Sequence, residues 1–163
     1  MKTLLLLRHA KSSWKDEEVS DHDRPLNKRG KRDAPRVGKL LQETQLAPEL
    51  IISSTAKRAR KTASKVAKEC VYEGVIELTG DLYLAPPAQY IQVLRNVPEH
   101  IQRVLVVGHN PGTEELLAQL TGCVTHFPTA ALAQIELDID TWDQLTHTTR
   151  GRLIDSWRPN ELD

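Results

Sequence analysis

Leu4-Leu5-Leu6-Leu7-Arg8-His9-Ala10 decides the reading of this chain, because an uncharged apolar run stops abruptly at an arginine and a histidine side by side. Such a run without polar alternation is the pattern of a strand buried on both faces, as in parallel sheets covered by helices. Ligands of open α/β sheets bind outside the carboxyl ends of the strands, so two polar side chains delivered there mark a candidate site. A second run, Val104-Leu105-Val106-Val107-Gly108, ends the same way in His109-Asn110-Pro111-Gly112. Packing alone gives no reason for two strands to end in histidine.

Outward from these two strands the chain alternates strand-like and helix-like segments, with no repeat, low-complexity stretch or Pro/Gly-rich linker. The alternation predicts an α/β fold: a three-layer α/β/α sandwich around a mostly parallel sheet. Lys11 to Arg24 is polar and reads as a loop over the end of the first strand. Asn27 is placed to cap a helix over 28–44 with Ala34, Val37 and Leu41 inward. Residues 49–53 read as a strand, and Ser54 or Thr55 as the cap of a helix whose apolar stripe is Ala59, Ala63, Val66, Ala67 and Cys70. Residues 75–78 read as a third strand, and Pro86-Pro87 opens a helix that ends before Pro98. Asn110 is expected to cap the next helix, with Pro111 first, Glu114 and Glu115 in the opening turn and Gly122 past the end. Segments 131–137 and 152–157 are expected to pair antiparallel.

With 163 residues and 39% apolar content the chain is expected to form a single domain spanning 1–163. Twenty-two basic against twenty-two acidic residues leave no net field to draw nucleic acid or an acidic membrane surface. No apolar run approaches the ~20 residues of a membrane span, and Met1-Lys2-Thr3 leads straight into a strand. The expected location is the cytoplasm. Cys70 and Cys123 stand alone, so two reduced thiols are expected rather than a disulfide or metal site.

His9, Arg8, His109 and Arg58 all fall at or within a turn of a strand's carboxyl end, where helix N-termini also point. That edge suits an anion: backbone N–H groups and helix dipoles are positive there, and guanidinium forks match phosphate oxygens. A histidine between arginines is held neutral and nucleophilic, as phosphoryl transfer to an imidazole nitrogen requires. Arg58 near a helix start opposes the dipole and so wants a reason, whereas Lys61 and Lys65 read as members of a solvated helix face. Arg24 is open between a loop salt bridge and a substrate contact. His22, His100, His126 and His147 lack partners at ligand spacing and read as surface histidines. Trp14 is placed to wall the pocket.

Leu7-Arg8-His9-Ala10-Lys11-Ser12-Ser13-Trp14 resembles the Arg-His signature of the histidine phosphatase superfamily, in the form of its small phosphohistidine phosphatase (SixA-type) branch. Asp23-Arg24-Pro25-Leu26 with Gly30, the segment Ser53 to Ala63, and Gly108-His109-Asn110-Pro111 resemble three further family motifs in family order. Many members continue Arg-His-Gly with a Glu and later an Asn, where this chain has Ala10, Lys11 and Lys15. The resemblance implies a phosphoglycerate mutase-like fold, His9 as the phosphorylated nucleophile, and a phosphate pocket of Arg8, His9, Arg58 and His109 with no metal or cofactor. Asp81 stands nearest to the general acid that alcohol-releasing members use, His109 is the other candidate proton donor to the leaving group, and Lys11 and Ser12 are further candidates for the phosphate. The implied partner is a phosphorylated protein, such as a phosphohistidine domain. A mutase or phosphomonoesterase acting on a small phosphorylated metabolite is the alternative, and a non-catalytic phosphate-binding module is the alternative of another class.

Overall fold

A computed structural model describes residues 1–162. Strands β1 (Lys2–Arg8), β2 (Leu50–Ser54), β3 (Ile76–Thr79), β4 (Arg103–Gly108), β5 (Leu132–Leu137) and β6 (Gly151–Trp157) form one sheet in the order β3-β2-β4-β1-β5-β6. Helices α1 (Lys28–Glu43), α2 (Lys57–Glu69), α3 (Pro87–Arg95) and α4 (Gly112–Thr121) cover it. Strands β3, β2, β4 and β1 are parallel, and β5 runs antiparallel to both β1 and β6. The expected α/β sandwich with a mostly parallel sheet is what forms.

The alternation of the leucines explains the layers. Leu4 and Leu6 pack with Leu94, Leu116 and Leu117 of α3 and α4, whereas Leu5 and Leu7 pack with Val37, Leu41, Ala63 and Val66 of α1 and α2. All four leucines are fully buried. Each such side chain contributes roughly 1.5–3 kcal/mol of apolar burial, so β1 is held in the centre of the sheet from both faces.

Local signals place the helices. The Asn27 side chain accepts a hydrogen bond from the Gly30 N–H at 2.9 Å and starts α1. Gly38 lets α1 meet α2 closely, since a Cβ there would lie 2.6 Å from the Val66 carbonyl oxygen. Gly122 ends α4 in the left-handed region at φ 76°, as its position past the helix suggested. Two expected caps differ. Neither Ser54 nor Thr55 caps α2, which starts after Ala56 without a side-chain cap, because both hydroxyls are turned to other partners. Asn110 does not cap α4 either: the helix starts after Pro111, and the Asn110 amide reaches Glu114 and the Phe127 carbonyl instead. Cys70 and Cys123 are both free thiols. Among the described residues no helix is long and apolar enough to cross a membrane, and no group of three or more His, Cys, Asp and Glu is placed to hold a metal ion.

Candidate active site

The register of the two central strands builds the site. Arg8 on β1 stands opposite Gly108 on β4, so His9 and His109 leave the sheet side by side. The His9 N–H bonds the Gly108 carbonyl at 3.0 Å, and the ring centroids lie 5.1 Å apart, close to the ~4.8 Å spacing of neighbouring strands. Arg58, in the first turn of α2 after β2, reaches the same edge. Arg8, His9, Arg58 and His109 together line a cavity of about 270 Å³. His9 is 6%, His109 1% and Arg58 2% exposed, so water screens their charges poorly.

Each ring is held in one orientation. His9 Nδ1 lies 2.7 Å from the Ala10 carbonyl oxygen. A carbonyl only accepts, so Nδ1 carries the hydrogen and Nε2 keeps its lone pair. His109 Nε2 lies 2.8 Å from Ser54 Oγ, which also accepts from the Ala56 N–H at 3.2 Å. The Tyr90 hydroxyl accepts the His109 N–H at 3.1 Å, and this contact explains Gly108, where a Cβ would sit 2.0 Å from the same oxygen. Thr62 ties α2 to the loop after His9: its hydroxyl donates to the Arg58 carbonyl at 2.7 Å and accepts from the Ala10 N–H at 3.0 Å.

Burial, reinforced by the neighbouring arginines, sets the charge states. It is the largest cause that pushes both His9 and His109 down to about 3, while the bond to Ala10 opposes the shift at His9. Both imidazoles are therefore neutral near neutral pH. Burial also draws the Arg8 guanidinium below its ordinary value, although arginine stays charged. The Nε atoms of Arg8 and Arg58 and His109 Nδ1 are buried with no hydrogen-bond partner in the protein. Buried polar nitrogens of this kind normally have a partner, and the cationic cavity suits an anion in that role.

Asp21, which the sequence reading passed over, is the carboxylate of this cavity. It accepts from the Tyr83 hydroxyl, from Arg58 Nη2 at 3.1 Å and from Arg24 Nε at 3.1 Å. These bonds, the Tyr83 one first, hold its carboxyl down to about 2, so it is a carboxylate and not an acid at neutral pH. Arg24 forms the loop salt bridge: it pairs with Asp21 and bonds Ser12 Oγ at 2.7 Å, and it also lines the cavity with its guanidinium 3.4 Å from the Trp14 ring centroid. Lys11, Ser12 and Trp14 also line the cavity. His22 is no idle surface residue, since its Nε2 lies 2.9 Å from Thr55 Oγ1 and its ring meets Tyr83 edge-on at 4.9 Å.

Asp81 corrects an expectation. It lies exposed in the short 3-10 turn after β3 and lines a separate cavity with Val93 and Val97. The chain after β3 does reach the site, since Leu84 lines the cavity and the Tyr83 hydroxyl bonds Asp21, but Asp81 itself faces the separate groove beside Val93 and Val97.

A neutral imidazole with a free nitrogen, one buried and one half-buried guanidinium group and a second imidazole at a strand-end cavity suit phosphoryl transfer through histidine. The family model described as the histidine phosphatase superfamily (branch 1) matches residues 4–81. An uncharacterized chloroplastic protein of Arabidopsis thaliana is 33% identical over 150 residues, covering 86% of this chain and 69% of its own. The SixA structure from Agrobacterium tumefaciens is 32% identical with a TM-score of 0.80, covering 97% of this chain and 98% of that one. The SixA structure from Nakamurella multipartitia reaches a TM-score of 0.84 at 26% identity, covering 97% of this chain and 96% of its own. The chain belongs to the histidine phosphatase superfamily, in its SixA-like branch. It is a phosphatase.

Proposed function

We propose that the protein removes phosphate from phosphohistidine on another protein, through a phosphohistidine formed at His9 and without a metal. The observation that carries the choice of substrate is the protonation state of the cavity. Its carboxyl group, Asp21, is held ionised at about 2, both histidines are neutral, and Asp81 lies elsewhere. An alkoxide leaving group needs a proton that no carboxylic acid here supplies. An imidazole whose second nitrogen already bears a proton leaves as a neutral ring and needs none.

In this reading the His9 Nε2 lone pair attacks phosphorus in line, and the N–P bond of the substrate breaks with its electron pair returning to the substrate imidazole. Arg8 and Arg58 neutralise the equatorial oxygens, and a His109 N–H donates to one of them. Water then attacks phospho-His9, the His9–phosphorus bond breaks with its electron pair returning to Nε2, and orthophosphate leaves carrying the oxygen and both protons of the water. The rim supports a protein substrate: Trp14 is 71% and Leu84 55% exposed, and both line the cavity mouth. Between residues 59 and 108 the segments that join α2, β3, α3 and β4 run to at most seven residues, too short for an inserted lid that would enclose a metabolite.

The test ranks kcat/KM over phosphohistidine proteins, free phosphohistidine, sugar phosphates and alkyl phosphates, each with and without EDTA. Phosphohistidine substrates are expected to rank first, with EDTA without effect. Faster turnover of sugar or alkyl phosphates would move the assignment to a metabolite phosphatase, and loss of activity in EDTA would overturn the metal-free chemistry.

A further inference from the structure

The charge of this chain is not spread evenly. Helices α1 and α2, 29 residues as 16 and 13, carry twelve of the 22 Lys and Arg but three of the 22 Asp and Glu. Twelve minus three is a formal surplus of nine positive charges in one layer of a neutral molecule, and the rest of the chain carries the matching deficit.

Three observations make this layer one surface and not two solvated helices. First, the close approach at Gly38 sets the outer faces of α1 and α2 side by side. Second, the buried carboxylate of Asp33 is shared by Arg29 at 3.5 Å, Arg32 at 3.3 Å and Arg36 at 3.1 Å. One of the layer's few acids thus gathers arginines instead of cancelling the surface. Third, the cations crowd the helix starts, with Lys28, Arg29 and Lys31 opening α1 and Lys57, Arg58 and Arg60 opening α2, and neither first turn has an acid. The dipole disfavours cations there, and α4 shows the favourable arrangement with Glu114 and Glu115. Those two helix starts border the cavity: Arg58 lines it, and Lys11, which also lines it, accepts the Asn27 N–H through its carbonyl at 3.0 Å.

We infer that the outer face of α1 and α2 is the docking surface for an acidic face of the phosphoprotein substrate, laid beside the phosphorylated side chain that enters the cavity. The inference rests on the phosphoprotein reading above and adds the partner's charge and the place where it sits. α1 is about 24 Å long at ~1.5 Å per residue, the scale of one side of a protein interface. An extended polyanion such as RNA fits less well, because beyond this layer it would meet the negative remainder of the molecule.

The test compares wild type with the triple variant Lys31→Glu, Lys61→Glu, Lys68→Glu, three exposed residues outside the cavity. The substrates are free phosphohistidine, a phosphohistidine protein with acidic residues around the modified ring, and that protein with those acids neutralised. For the acidic protein kcat/KM is expected to fall about tenfold or more at low salt, through KM. Free phosphohistidine is expected to be hydrolysed as before. Added salt is expected to slow wild type on the acidic protein and to leave the variant unchanged. The melting temperature is expected to hold, since Lys31→Glu near the start of α1 gains from the dipole what Lys68→Glu in the last turn of α2 loses. An unchanged KM for the acidic protein, or equal wild-type rates on the acidic and neutralised proteins, overturns the docking surface while the substrate class stands. Loss of RNA binding in the variant with an unchanged KM assigns the face to nucleic acid and also overturns it. A wild type inactive on every phosphohistidine substrate removes the reading beneath it.

Discussion

Replacing Ser54 by Ala tests whether a buried hydroxyl sets the state of His109. Ser54 is fully buried at the end of β2, and its Oγ has two partners, His109 Nε2 at 2.8 Å and the Ala56 N–H at 3.2 Å. If the hydroxyl donates to Nε2, the ring hydrogen sits on Nδ1, the nitrogen that has no partner in the protein. That N–H is then the one free to meet a phosphoryl oxygen. Ser54→Ala removes the lock and leaves a buried ring nitrogen and a buried amide unpaired. Stranding such groups costs roughly 1–3 kcal/mol, or about 2–4 °C of melting temperature per kcal/mol in a chain of this size. A misplaced proton also removes one hydrogen bond to a charged phosphoryl group, worth about 1.5–3 kcal/mol, hence a loss of roughly 10- to 100-fold in kcat/KM. Thermal melts and steady-state kinetics on phosphohistidine, with the melting shift produced by tungstate as a phosphate mimic, separate the two effects. Ser54→Thr keeps the hydroxyl and is expected to recover rate in proportion to the tungstate shift. Wild-type kcat/KM in Ser54→Ala, with or without a lower melting temperature, refutes the proton-placing role.

His9→Ala is expected to abolish an acid-labile, base-stable phosphoenzyme and to lower turnover by several orders of magnitude; phosphoenzyme formed normally on the variant, detected by acid and base treatment of the trapped protein, would remove His9 from the chemistry. Asp81→Asn is expected to leave kcat/KM within about twofold on phosphohistidine and on alkyl phosphates alike, because the residue lies outside the cavity; a loss of the ~10²–10⁴-fold size expected for a general acid would reinstate it. Folding stability is expected to fall on the acid side, because His9 and His109 stay neutral in the fold down to about 3 but take up protons near their ordinary value of 6.5 once unfolded. The loss therefore begins below about pH 6.5 and reaches roughly 1 kcal/mol per pH unit for each ring, and Asp21 extends it from its ordinary 3.8 to about 2. Urea melts at several pH values check this, and a flat profile from about pH 7 to about 4.5 refutes the burial of two neutral rings.

What the sequence disclosed follows from how locally each feature is encoded. The leucine run of β1 specifies a strand buried on both sides without help from elsewhere, and Asn27 three residues before Gly30 specifies a helix start by itself. Arg8-His9 and His109 were legible because a strand end is a place as well as a pattern. Ser54, Thr62, Asp21 and Tyr90 were not, since each acts through a partner between 19 and 55 residues away, and nothing local separates Ser54 the helix cap from Ser54 the histidine's partner. Asp81 failed for the complementary reason. Its sequence neighbourhood says strand end, and only the fold shows that Tyr83 and Leu84, not Asp81, turn toward the cavity.

The central pairing also has a consequence for how the protein is made. Leu4 finds its ladder partner Val104 a hundred residues later in the chain, and Leu7 pairs with Leu132 on its other side. At ~5–20 residues per second a ribosome takes roughly 5–20 s to supply the first of these neighbours. Throughout that interval the apolar strand has no partner on either edge, and His9 has no His109 beside it. The phosphotransfer site therefore cannot assemble on a partial chain, and the same four leucines that later anchor the sheet are the segment most exposed to premature association with other chains or with a chaperone.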